Sequence, residues 1–95
     1  MIIAEISVVP LGEGTDVSRF VRLAVNELKK TGLKTFSGPM STSVEATTLD
    51  EVLAAVRAAH EAVVKVGAKR VITTLKIDDR RDRQATMETK MRALE

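Results

Sequence analysis

Between Ile2 and Ile77 the apolar period of the chain switches between two residues and three to four, in the order strand, helix, strand, strand, helix, strand. Residues 2–9, Ile-Ile-Ala-Glu-Ile-Ser-Val-Val, are rich in β-branched side chains and are closed by Pro10-Leu11-Gly12. Asp16 is placed to N-cap a helix whose apolar stripe is Val17, Phe20, Val21, Ala24 and Leu28. Lys29 and Lys30 suit the C-terminal end of its dipole, and Gly32 stops it. Two short strands follow around the turn Ser37-Gly38-Pro39, the second from Ser41 to Thr47. Thr48 and Glu51 then have the spacing of a capping box, ahead of a helix running to about Val66. Its stripe is Leu49, Val52, Val56, Ala59, Val63 and Val66, and Gly67 ends it. Arg70 to Ile77 reads as the fourth strand.

Two split βαβ units of this kind predict an α+β, ferredoxin-like sandwich, a four-stranded antiparallel sheet with both helices on one face. Residues 1–83 complete that domain. In the extension 84–95, Met87, Met91 and Leu94 recur at i, i+4 and i+7, marking a third short helix. Its stripe calls for a further surface, on the domain or on a neighbouring subunit.

Composition removes several function classes. The chain of 95 residues has no Cys, which excludes disulfides, a thiol nucleophile and thiolate metal sites. Fifteen basic residues against thirteen acidic ones leave a net charge of +2, a poor footprint for nucleic acid. Phe20 and Phe36 are the only aromatics, too few for a platform on which bases stack. No apolar run approaches the roughly 20 residues of a membrane span. The start Met1-Ile2-Ile3-Ala4-Glu5 lacks the basic and cleavage regions of a secretory leader, so the expected address is the cytoplasm. Gly12-Glu13-Gly14 lacks the third glycine and the parallel βαβ setting of a dinucleotide fingerprint. His60 stands alone at the edge of a helical stripe, where a structural role is expected, since a metal normally needs two or more ligands. The run Asp78 to Arg83 alternates in sign and reads as a solvated, mutually paired stretch. No catalytic motif is present, and neither a metal nor a cofactor is expected.

The face of the sheet away from the helices is the informative surface. Alternation turns Ile2, Ala4, Ile6 and Val8 of the first strand toward the helices and leaves Ile3, Glu5, Ser7 and Val9 outside. In the third strand Thr42, Val44 and Ala46 fit the helix side, leaving Ser41, Ser43 and Glu45 outside. In the fourth, Val71, Thr73, Leu75 and Ile77 fit the core and Ile72, Thr74 and Lys76 the open face. With the first strand between the third and fourth, Glu5, Ser7, Ser43 and Glu45 come near one another. Two readings of this mixed face stay open on alternation alone. It is a solvated, self-neutralised charge pattern, or it is covered by another subunit with a polar pocket left inside.

Three stretches together carry a family resemblance: Val9-Pro10-Leu11-Gly12, Pro39-Met40-Ser41-Thr42-Ser43-Val44-Glu45, and Thr73-Thr74-Leu75-Lys76-Ile77-Asp78-Asp79-Arg80-Arg81. With Ala58-Ala59-His60-Glu61-Ala62-Val63, they make the chain resemble the small thiamine-binding proteins related to the YkoF type, from Met1 to about Arg83. The resemblance implies ferredoxin-like domains that pair through their sheets into homotetramers, dimers of dimers. It implies non-catalytic binding of thiamine, or of its hydroxymethylpyrimidine moiety, at subunit interfaces. Met40, Thr42 and Glu45 are the motif positions that it carries over; Glu5, Ser7 and Ser43 join them from the alternation argument. Ser41 departs from the family pattern, which has Gly after Pro-Met, and a side chain there narrows the expected pocket. The rival readings are a regulatory module for another metabolite, as ACT-type domains are for amino acids, and a purely structural assembly protein.

Overall fold

The computed structural model describes all 95 residues, Met1 to Glu95. Its elements are β1 (Ile2–Pro10), α1 (Ser18–Lys30), β2 (Lys34–Ser37), β3 (Thr42–Ala46), α2 (Leu49–Lys65), β4 (Val71–Asp79) and α3 (Met87–Arg92). The strands form one antiparallel sheet in the order β2-β3-β1-β4. This is the ferredoxin-like arrangement expected from the sequence. The two long helices lie on one face, where Ile2, Ala4, Ile6 and Val8 of β1 meet Phe20, Ala24 and Leu28 of α1 and Val52, Ala55, Ala59 and Val63 of α2. Val44 and Ala46 of β3 complete that core from the sheet.

Several element ends differ from the sequence expectation, each for a local reason. Asp16 does not N-cap α1. The helix begins one residue later than that role requires, with Val17 at the N-cap and no side-chain cap, while Asp16 Oδ1 accepts from the Ser18 amide at 3.0 Å and the Ser18 hydroxyl at 2.7 Å. β4 runs on to Asp79 because β1 starts at Ile2, whose partner in the register is Asp79. In the helical stripes, Val21, Leu49 and Val66 are partly exposed, at 37%, 46% and 45%, and Ala55 is buried instead. Leu49 is the first residue of α2 and Val66 its C-cap, so both fall at the helix ends.

The α2 entry is the best-defined cap in the chain. Thr48 Oγ1 accepts from the Glu51 amide at 3.2 Å, and Glu51 Oε1 accepts from the amides of Thr47 and Thr48 at 2.9 and 3.0 Å. At the other end Gly67 adopts φ +104°, a left-handed conformation that side chains disfavour. Between α2 and β4, His60 Nδ1 and Thr73 Oγ1 share a hydrogen bond of 2.6 Å, so the lone histidine ties a helix to the sheet. Loss of an N-cap hydroxyl typically costs about 1 kcal/mol. Thr48→Ala is therefore expected to lower the free energy of urea unfolding by about that amount, with Thr48→Ser restoring most of it; an unchanged midpoint would contradict the capping role.

Candidate functional site

The open face is ordered by the register of β1. Reading across the sheet, Glu45 lies opposite Lys34 and Ile3, and Ile3 lies opposite Asp78. In the next outward row Ser43 lies opposite Phe36 and Glu5, and Glu5 opposite Lys76. Ser7 pairs with Thr74 and Val9 with Ile72 beyond them. Glu5 and Glu45 are thus diagonal neighbours, a relation that sets the residues about 7–8 Å apart, with their Cβ atoms somewhat closer. The Glu5 carboxylate, although opposite Lys76, accepts from the Ser41 hydroxyl at 2.9 Å. Ser41, in the turn before β3, is therefore bonded to one of the two carboxylates of this face.

Glu45 faces the open side as alternation requires, yet it is only 7% exposed. The C-terminal segment covers it. Thr86 caps α3, and the amide of Met87, in the first turn, donates to Glu45 Oε1. A buried carboxylate needs such a donor, and an amide at a helix start is a favourable one. Lys90 Nζ meets Asp78 Oδ2 at 2.6 Å, and the Met1 ammonium donates to Gln84 Oε1 at 2.9 Å, so α3 and its approach are tied across the sheet face. Between α3 and the sheet remains a cleft of about 290 Å³, with Ile3, Phe36 and Ser43 on the sheet side and Met87, Lys90 and Met91 on the helix side.

A second cleft, about 230 Å³, opens where β1 outruns β3. The β1–β3 register ends at Ile6 and Thr42, so beyond Ile6 the β3-facing edge of β1 has no strand beside it. Ser7, Val8 and Val9, the turn residues Met40 and Ser41, Thr42, and Val21 and Val25 of α1 line that gap. Met40 is 87% exposed at its rim, whereas Thr42 is buried on the helix side of β3.

The six candidate residues are therefore distributed. Ser7, Met40 and Thr42 line the gap beside α1, Ser43 lines the cleft under α3, Glu45 lies beneath α3, and Glu5 stands between the two clefts through Ser41 and Ser43. Sequence reasoning missed Phe36, which is 58% exposed on the open face opposite Ser43. The face of β2 would have followed from pairing Phe36 with Ser43 across the Gly38-Pro39 turn. The arginine run is self-paired, Arg80 to Asp82 through two hydrogen bonds of 2.6 and 3.0 Å and Arg81 to Asp79 at 2.8 and 3.1 Å. No group of three or more His, Cys, Asp and Glu side chains is placed to hold a metal ion, and no helix is long and apolar enough to cross a membrane.

Residues 4–95 match the family model described as thiamine-binding protein. The chain belongs to the thiamine-binding protein family. A UPF0045 protein of Methanothermobacter thermautotrophicus is 47% identical over 95 residues, covering 99% of this chain and 96% of its own. A solved hypothetical protein of Methanocaldococcus jannaschii, 41% identical, superposes with a TM-score of 0.91 over 98% of this chain and 94% of that one. A Thermotoga maritima protein provisionally assigned to thiamine biosynthesis or salvage, 26% identical, gives a TM-score of 0.85 over 99% of this chain and 98% of that one. These likenesses cover α3 together with the sandwich.

The tie between α3 and β4 has a defined pH dependence. Hydrogen bonding and charge attraction from Lys90, helped by Arg80 and Lys76, hold the Asp78 carboxyl below its ordinary 3.8. A depressed carboxylate pKa means the stabilisation is fully present above 3.8 and is lost as pH falls through the lower, folded value. The Asp78 carboxyl carbon is expected to titrate below 3.8 by NMR and to move back toward it in Lys90→Met. An unaltered titration in that variant would show that Lys90 is not the tether.

Proposed function

We propose that the protein binds thiamine or a related hydroxymethylpyrimidine non-catalytically, on the open sheet face and at an interface between subunits of a homotetramer, as a carrier, reservoir or sensor. The observation that carries this reading is the company Glu5 and Glu45 keep. Two carboxylates, the hydroxyls of Ser41 and Ser43 and one exposed aromatic ring share a single face of a member of the thiamine-binding family. Thiamine has a cationic thiazolium and an aminopyrimidine that both donates and accepts. Carboxylates offset the charge and accept from the amino group, hydroxyls answer the ring nitrogens, and Phe36 provides a surface for stacking. The Thermotoga maritima relative's assignment to thiamine biosynthesis or salvage points the same way.

The interface part of the reading rests on size. Ligand pockets usually enclose about 300–1,000 Å³. A cleft of about 290 Å³ with an open side is at the bottom of that range, and a second copy laid on the face would deepen it. Ile72, 44% exposed, and Phe36 are apolar surface that such a copy would cover. Ser7, Met40 and Thr42 then serve the ligand from the neighbouring gap, on the side where Glu5 is reached through Ser41.

Calorimetric titration with thiamine and then hydroxymethylpyrimidine tests the ligand class directly. Micromolar or tighter binding, at one site per chain or per interface, is expected. No heat with either ligand at two temperatures would overturn the reading in favour of another metabolite or an assembly role. Glu45→Gln is expected to weaken thiamine binding about tenfold, as for a lost charge-assisted hydrogen bond, because its amide oxygen still accepts from Met87 and keeps the fold. Sedimentation should give a tetramer, or at least a dimer; a stable monomer at micromolar concentration would contradict an interface site.

A further inference from the structure

Glu45 is the one acidic side chain that the fold buries, and a weakly secured segment, α3, covers it. α3 has six residues, none of them buried, and Met91 and Leu94 are 56% and 80% exposed. A helix this short does not persist in isolation. Ala85, just before it, is the last buried residue. Beyond Ala85 the segment is held to the sheet by the Met87 amide on Glu45 and by the Lys90–Asp78 pair, whose two side chains are 50% and 48% exposed. The Met87 amide takes one of the two carboxylate oxygens, and α3 stands over the side from which a small molecule on this face would reach the group. Met87 and Met91 meanwhile roof the cleft over Ile3 and Phe36.

From this arrangement we infer that α3 is a hinged cover, pivoting after Ala85, which opens without unfolding the sandwich. Docked α3 leaves Glu45 only 7% exposed, so a ligand reaching this carboxylate from the open face must lift the cover, and docked α3 and bound ligand compete for access to it. The competition half of this inference rests on the binding role proposed above; the hinge half does not. The apparent affinity scales with the fraction of time that α3 is open, so weakening its tether raises that affinity.

The test uses Asp78→Asn and Lys90→Gln in the full chain. Both cut the tether, but they change the local charge in opposite directions. Hydrogen exchange at the Met87 amide should quicken about two- to fivefold in both, the range expected for an exposed ion pair, while the amides of Ala4 and Ile6 stay unchanged. Thiamine and hydroxymethylpyrimidine should each bind both variants more tightly, by a factor matching the exchange gain. Saturating ligand should also strip the Met87 amide of its protection in the parent chain. Unchanged Met87 exchange in both variants, or a rise shared by the β1 amides, would overturn the hinge. Thiamine binding that weakens in Asp78→Asn and tightens in Lys90→Gln would reveal simple charge attraction and overturn the competition, as would Met87 protection that survives saturation. Absence of binding by either ligand would retire the thiamine reading and the competition with it, while the exchange result still decides the hinge.

Discussion

β1 lies between β3 and β4, and its one-residue alternation divides the sheet into a face packed on the helices and an open face. Ile2, Ala4, Ile6 and Val8 are buried against the helices, which locks the strand against slippage. A shift of one residue would put Glu5 into the core and Ile6 into solvent. The same constraint fixes Ile3, Glu5, Ser7 and Val9 on the opposite face. Because β3 and β4 pair directly with β1, their outward residues fall into line with these. The apolar half of the pattern therefore positions the polar half, and the location of Glu5 against Ser43 and Lys76 is a by-product of core packing.

Glu45 is the one acidic side chain that the fold covers. Desolvating a carboxylate costs several kcal/mol unless donors replace the lost water. α3 supplies such a donor from its own first turn, where backbone amides have no partner within the helix. The match is mutual, since the helix start gains an anion and the carboxylate gains an amide. With the Lys90–Asp78 pair, this bond holds a six-residue helix with no buried residue on the sheet.

The order of elements, the sheet order and the identity of the open face were legible in the sequence because each rests on periodicity, a local property. The capping box at Thr48 and Glu51 was legible for the same reason. The burial of Glu45 was not, because it depends on a contact between residues 45 and 87 that no periodic pattern encodes. Alternation put Glu45 outside and was right about the direction of its side chain; only the cover was invisible. Phe36 escaped because β2 is four residues long, too short for its alternation to declare a face without the pairing to β3. The gap lined by Met40 and Thr42 arises from unequal strand lengths, nine residues in β1 against five in β3, which shows only once the register is known.

Small size limits how deep a pocket the open face can hold. A domain of this length buries only about two-thirds of the surface its unfolded chain exposes, so it has little apolar area to spare for a deep pocket of its own. The core here takes the helix side of the sheet almost completely, and the open side is left with a shallow cleft, a short helix and a few apolar residues, Phe36 and Ile72 among them. A chain so built has two ways to enclose a small molecule. It can fold its own C-terminal segment over the face, or it can lay a second copy against it. On the proposed reading it uses both, with α3 guarding Glu45 within one chain and the remaining open rows meeting a neighbour. The carboxylates then serve recognition, because each already has a neutral donor, Ser41 or Met87, that a charged ligand can replace without leaving the anion unpartnered.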